Sequence, residues 1–498
     1  MAEAMATLTG GAFLIALALK LGASNFQIGI LVALPTISPV FQLLGIYLVR
    51  KYQNRKLITV FSSALARGPL LLVSILPFLF SPQISLVFLI IFLFFHYLFG
   101  SVSGCSWNSW MKDLVPDNML GRYFSNRSRM IQILSVSLSF LIAFVLDYVK
   151  VHNPTWEVKT YSVMFAVGGV LGLLGVLLLA KTPEPEMEAM QSNLFRLFRK
   201  PLKDINFRNM IIFNTSWAFA IGLAAPFFSV YLLKMLHLSL SYVVFLNILS
   251  QGTNILFIRI WGKFSDQYSN KSILRICAPI YLCCILGWTF TTMPNPHTFT
   301  IPLLVLIYTF NGIAVAGINL SMSNIGIKLA PRQGDAAVYL TVRAIIVAAV
   351  AGTAPLIGGF FADFFASHEL AWNLEWKSHG ITTFVLPLLN LKQWDFFFVF
   401  SFMFGLLALY RLRFVQETGE ANRNVAIGEI VLELRNEVNM HSTFAGLKTM
   451  LYFPKAYLVA IKRKKKIKQY IRHKRKRNFY IYRRDKHFSK PGLLRKGS

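Results

Sequence analysis

Apolar residues in this chain gather into runs of about twenty, separated by short polar links. Each run matches the helix needed to cross about 30 Å of hydrocarbon at about 1.5 Å per residue. Twelve runs are read: Ala4 to Leu21, Phe26 to Leu48, Leu57 to Phe80, Ile84 to Trp107, Met130 to Tyr148, Tyr161 to Ala180, Met210 to Leu233, Tyr242 to Ile260, Ile273 to Met293, Ile301 to Ile325, Ala337 to Phe361 and Trp394 to Leu412. The pattern predicts an all-α membrane protein of about twelve transmembrane helices.

Composition agrees, since 55% of the 498 residues are hydrophobic and 14% charged. A soluble domain of this size would be covered in apolar surface. Met1 stands almost inside the first run, which leaves no room for a cleavable leader; either the first helix is its own insertion signal or the true start lies upstream. Cys105, Cys277, Cys283 and Cys284 show no metal-ligand spacing and read as packing residues. Alternate links divide by charge. One set carries Arg50, Lys51, Arg55, Lys56, Lys112, Arg122, Arg127, Arg196, Arg199, Lys200, Lys203, Lys263, Lys271, Lys328 and Arg332, whereas the other holds only Lys150, Lys159, Lys234, Lys377 and Lys392. By the positive-inside rule the first set and both termini are expected in the cytoplasm.

Landmarks repeat. Arg127 and Arg343, like Asp147 and Asp363, stand 216 residues apart, Pro116 and Pro331 stand 215 apart, and Gly45 and Gly262 stand 217 apart. The chain therefore divides into a six-helix half, 1–181, a linker, 182–207, a second half, 208–415, and a basic tail, 416–498. Two halves of like orientation imply a twofold pseudo-axis along the membrane normal, with a site at their interface.

The link "GKFSDQYSNKSIL" places Gly262, Asp266, Lys271 and Leu274 between the second and third runs of the second half. It resembles the cytoplasmic signature of the major facilitator superfamily, and the resemblance covers about the first 415 residues. It implies a fold of two six-helix halves and a conformational latch made by Gly262, Asp266 and Lys271, with Gly45, Arg50 and Arg55 in the first half. There the pattern departs, because Val49 stands where the acid belongs. "SWNSWMKDLVPDNMLGRYFSNR" is similar to the fourth-to-fifth helix link of bacterial facilitator proteins of unassigned substrate. "AGTAPLIGGFFAD" resembles a superfamily glycine-proline motif, whose Gly352, Pro355, Gly358 and Gly359 allow a kink and close packing.

Polar groups inside apolar runs are the candidate site. Arg67 falls near the midplane, and its competing role is a structural charge paired to backbone or headgroup. Asp147 and Asp363 fall at the outer rim, where their symmetry favours a repeated structural role. His96 and Trp107 share a face with Gly100 and Ser103; Asn247, Gln251 and Asn254 share another. Asn214, Trp217, Tyr308 and Asn311 complete the candidate central cavity. Interhelical hydrogen bonding competes with ligand binding for all of them.

No nucleotide-binding loop, metal cluster or nucleophile motif appears, and no cofactor is expected. The expected function is secondary transport of a small solute by rocking of the halves, driven by an ion such as the proton or by a substrate gradient. The resemblance suggests a monomer in a bacterial inner membrane. The tail carries seventeen Lys and Arg against one Asp between 461 and 498, toward a net charge of +30. It is expected to rest on anionic lipid, with no specific nucleic acid, and truncation after Val415 is expected to leave the bundle folded. The rival is a receptor or scaffold that uses this tail to bind anionic lipid or RNA.

Overall fold

A computed structural model describes residues 1–185, 194–291, 299–331, 336–378 and 381–417. Side chains at 117–122, 125, 194–198, 266, 336–337 and 372–390 lie outside that description, as does the basic tail beyond 417.

Among the described residues, twelve helices are long and apolar enough to cross a membrane. They are α1 (Ala2–Lys20), α2 (Asn25–Tyr52), α3 (Arg55–Leu79), α4 (Pro82–Leu114), α5 (Asn126–His152), α6 (Pro154–Ala180), α7 (Ile205–Lys234), α8 (Leu240–Ser265), α9 (Asn270–Thr291), α10 (Thr300–Leu329), α11 (Val338–Ser367) and α12 (Asp395–Phe414). Large apolar side chains such as Phe61, Phe144, Leu177 and Phe360 are exposed. In a bilayer such a belt meets acyl chains at no cost.

Among the described spans α1, α2 and α7 are broken, α2 by a 3-10 turn at Ser38–Phe41, and the breaks of α1 and α7 correspond. Gly10 is extended and Gly11 has φ +59°, which splits α1 into Ala2–Thr9 and Gly11–Lys20. A glycine tolerates that left-handed turn without the Cβ clash other residues meet. In α7 the helix gives way at Ala225–Phe227 to a tighter 3-10 turn, around Pro226. The breaks of α1 and α7 stand 215 residues apart, so the repeat extends to backbone irregularities.

The third helix of each half starts in the same way. Asn54 accepts the Leu57 N–H at 2.7 Å in front of α3, and Ser269 accepts the Ser272 N–H at 3.1 Å in front of α9. A glutamate from beyond the half's last helix adds a second cap. Glu184 accepts the Arg55 N–H at 2.7 Å, and Glu417 accepts the Lys271 N–H at 2.9 Å, the Asn270 Nδ2 at 2.7 Å and the Lys328 Nζ at 2.9 Å.

Glu417 thus ties the start of the tail to the bundle, and truncation after Val415 would remove a buried cap that the sequence reading counted as dispensable. Burial alone would raise its carboxyl pKa, but the bonds from Asn270, Lys271 and Lys328 outweigh it and hold the group below the usual glutamate range. A depressed folded pKa stabilises the fold above the unfolded value of about 4.3 and is lost as pH falls through the folded one. Glu417→Gln should therefore melt below wild type at pH 7 in thermal unfolding, with the gap closing in acid.

Among the described residues one hairpin is not helical. Between α11 and α12, β1 (Glu369–Ser378) pairs antiparallel with β2 (Ile381–Lys392), in the register Glu369 to Lys392 and Trp376 to Phe384, with irregularities after Trp372 and Trp376. The hydropathy scan passed over it because strands are far shorter than a helical span.

Candidate functional site

The halves meet at the ends of the helices that carry few charged links. Asp147, near the end of α5, accepts the Leu240 and Ser241 N–H groups at 3.0 and 2.7 Å in the first turn of α8. Asp363, near the end of α11, accepts the Asn25 and Phe26 N–H groups at 3.1 and 2.8 Å and the Asn25 Nδ2 at 2.8 Å, at the start of α2. Each carboxylate sits on the positive end of a helix dipole belonging to the opposite half. The two caps are therefore one interaction made twice by the repeat.

Below Asp363, α2 and α11 pack backbone to backbone. A Cβ on Gly359 would stand 2.6 Å from the Asn25 carbonyl oxygen, and one on Gly352 2.7 Å from the Ile37 Cβ; Gly29 has no room for one beside Pro355. Gly352 and Gly359 of the glycine-proline motif thus pack between halves, whereas Gly358 packs on Leu223 of α7 in its own half.

Of the cavities that open between the described helices, two are bordered by residues of the candidate central cavity. The central one, about 470 Å³, lies where α1 and α7 are broken and takes lining from Glu3, Thr7, Tyr97, Ser139, Asn247 and Gln251. Gly10 and Gly11 line it from α1 and Pro226 from α7. Interrupted helices leave backbone groups free to face a cavity, which is where transporters of repeated halves place their ligands. The second, about 450 Å³, is bounded by Thr36, Asn214, Trp217, Asn319, Ser323 and Arg343, and Pro226 borders both.

The candidates divide accordingly. Asn247 and Gln251 border the central cavity, and Asn214 and Trp217 border the second. His96 instead faces α3, with Nδ1 2.7 Å from the Ala66 carbonyl oxygen. Arg67, one residue on, donates from Nη1 to the Gly172 carbonyl of α6 at 2.7 Å. Both midplane groups tie helices of one half together. Trp107 carries the Arg127 guanidinium 4.8 Å above its ring, and Tyr308 is buried against Trp288 at 5.8 Å. Asn254 and Asn311 are half-buried and border neither cavity.

At the basic ends, Arg55 is buried. Its Nη1 donates to Asp113 and to the Ser109 carbonyl oxygen, and its Nη2 to the Pro185 carbonyl oxygen at 3.2 Å. Glu184 Oε1 lies 3.8 Å from its Nε, so two carboxylates answer the cation where Val49 offers none. Gly45 packs tightly on α4, since a Cβ there would stand 3.1 Å from the Val102 carbonyl oxygen, whereas Gly262 faces open space. Arg50 is half-buried in the last turn of α2. Lys271 is buried at the start of α9, and the side chain of Asp266 lies outside the described residues.

Sequence reasoning passed over Glu3, Arg343, Glu184 and Glu417. The breaks had a signal, "TGGAF" facing "LAAPF" at an offset of 214. Arg343 had only its place as a landmark of the repeat, opposite Arg127, which says nothing of a cavity.

A sequence model of the Major Facilitator Superfamily matches residues 1–351. No curated protein sequence matches the chain significantly. Among solved structures, the fold is similar to a D-xylose-proton symporter at 16% identity, with a TM-score of 0.58 over 84% of this chain and 96% of that one. The inward-open xylose transporter XylE from E. coli aligns at 14% identity and a TM-score of 0.55, over 86% and 96%. A bacterial homologue of the iron transporter ferroportin, inward-facing, aligns at 11% and 0.61, over 84% and 97%. Identities this low establish the fold alone.

Proposed function

The chain belongs to the major facilitator superfamily, and from that premise we propose that it carries a small solute across a membrane by alternating access, rocking its two halves about the central cavity. The observation that supports this best is the symmetric pair of caps. Asp147 and Asp363 close one end with bonds of 2.7 to 3.1 Å between halves. Such bonds to helix ends break without unfolding either half, as a reversible gate requires.

With the basic links in the cytoplasm, the closed end is the outer one and the cavities are reached from inside. This is an inward-facing state. On this reading the protein sits in a bacterial inner membrane with both termini in the cytoplasm, and a proton or substrate gradient drives its transport. Glu3 is a carboxylate on the wall of the central cavity. The neighbouring folds come from carriers of unlike solutes, so none of those solutes is assigned to this chain.

The test is flux. Purified protein in liposomes, screened against solute pools with an imposed proton gradient, should show gradient-dependent uptake or efflux of at least one solute. Gradient-independent leakage alone, equal to protein-free liposomes, would overturn the reading in favour of a receptor or scaffold.

A further inference from the structure

The second cavity holds a positive charge that the rocking cycle leaves without a use. Arg343 stands five residues inside α11, about 8 Å from its basic end at the usual helical rise. It is half-buried, and its Nη1 donates to the Met322 carbonyl oxygen at 3.0 Å. A guanidinium carries five N–H groups in a planar fork, and a single carbonyl leaves most of that capacity open.

No Asp or Glu is among the described residues lining this cavity, so nothing on its wall neutralises the charge. Asn214, on the same wall, is 6% exposed and its Oδ1 has no hydrogen-bond partner. A buried polar atom without a partner costs free energy and is rare in native proteins. Asn319, Ser323 and Thr36 add further polar groups. The repeat supplies a contrast, because Arg127, the counterpart of Arg343, is already laid on the ring of Trp107.

We propose that this cavity binds a small organic anion, its carboxylate or phosphate on the Arg343 guanidinium and its body toward Asn214. The proposal rests on the transporter reading for its physiological meaning, since the bound anion would be the solute carried. Binding can be measured without transport.

The test uses the full-length protein in detergent and follows thermal unfolding with four probes of similar shape at constant ionic strength: benzoate, phenyl phosphate, benzamide and benzylammonium. One or both anions should raise the melting temperature saturably, and which of them does so separates carboxylate from phosphate recognition. The neutral and cationic probes should not. Arg343→Gln should weaken anion binding at least about tenfold, as expected for losing a charge-assisted hydrogen bond. Arg343→Lys should lose less, because it keeps the charge without the fork. Should Arg343→Gln fail to fold, Asn214→Ala carries the test, with an expected loss of several-fold.

Stabilisation by benzamide equal to that by benzoate, no stabilisation by either anion, or unchanged affinity in folded Arg343→Gln would each overturn the proposal. Flux separates it from the broader reading. Anion binding without transport of the bound anion keeps the site and removes the transporter, whereas transport of a neutral solute without anion binding does the reverse.

Discussion

Replacing Asp147 and Asp363 together by alanine should shift the protein out of the conformation described above toward one open at the opposite end. Each substitution removes a carboxylate from the first turn of a helix in the other half. A charge at a partly exposed helix N-terminus is worth about 1 kcal/mol, so the pair amounts to about 2 kcal/mol, roughly a thirtyfold change in the ratio of the two states. Spin labels at Val151 and Phe245, in a background lacking the four native cysteines, should report a longer distance in the double variant. Each half keeps its own packing, so the melting temperature should move little. The Asp→Asn pair should fall between, since an asparagine oxygen still accepts one hydrogen bond. An unchanged distance distribution in the alanine variant would mean that the glycine packing of α2 on α11 holds this end without help.

Arg55→Ala should be the most damaging single substitution in the first half. The side chain is 1% exposed, and it faces Asp113 and Glu184 together with two backbone carbonyl groups. Its removal leaves without their cation two carboxylates that are 43% and 19% exposed, together with two backbone carbonyl groups, at a cost of about 1–3 kcal/mol. The expected result is a large fall in thermal stability and in the yield of monodisperse protein. Arg55→Lys should recover part of it, because lysine restores the charge but cannot reach both carboxylates and the Pro185 carbonyl oxygen at once. A melting temperature for Arg55→Ala within a degree or two of wild type would show that water replaces the guanidinium at little cost.

Much of this architecture is legible in the sequence. Twelve spans, their division into halves and the offset near 216 follow from hydropathy and from residues such as Asp147 and Asp363, because a bilayer imposes the same length and polarity on every crossing segment whatever it packs against. The symmetry of the two aspartates was visible as well, but not their partners. Those are backbone N–H groups of α8 and α2, which exist as free donors only because helices begin there.

The roles of the remaining polar residues were decided by the tertiary structure. His96 and Arg67 share the depth of a binding site, yet they answer carbonyl oxygens of neighbouring helices. Arg343 reads in the sequence as a landmark of the repeat and yet lines a cavity. Rise per residue gives depth along a helix axis, whereas the direction a side chain faces depends on helices distant in sequence. The hairpin between α11 and α12 escaped for a related reason, since its pairing of Glu369 with Lys392 joins positions that no single hydrophobic run contains. What the chain determines alone is which segments leave water, because transfer free energy is a property of each segment. Which polar atoms then remain unanswered, and so face a cavity, is a property of contacts between segments, and only the folded arrangement of the helices decides it.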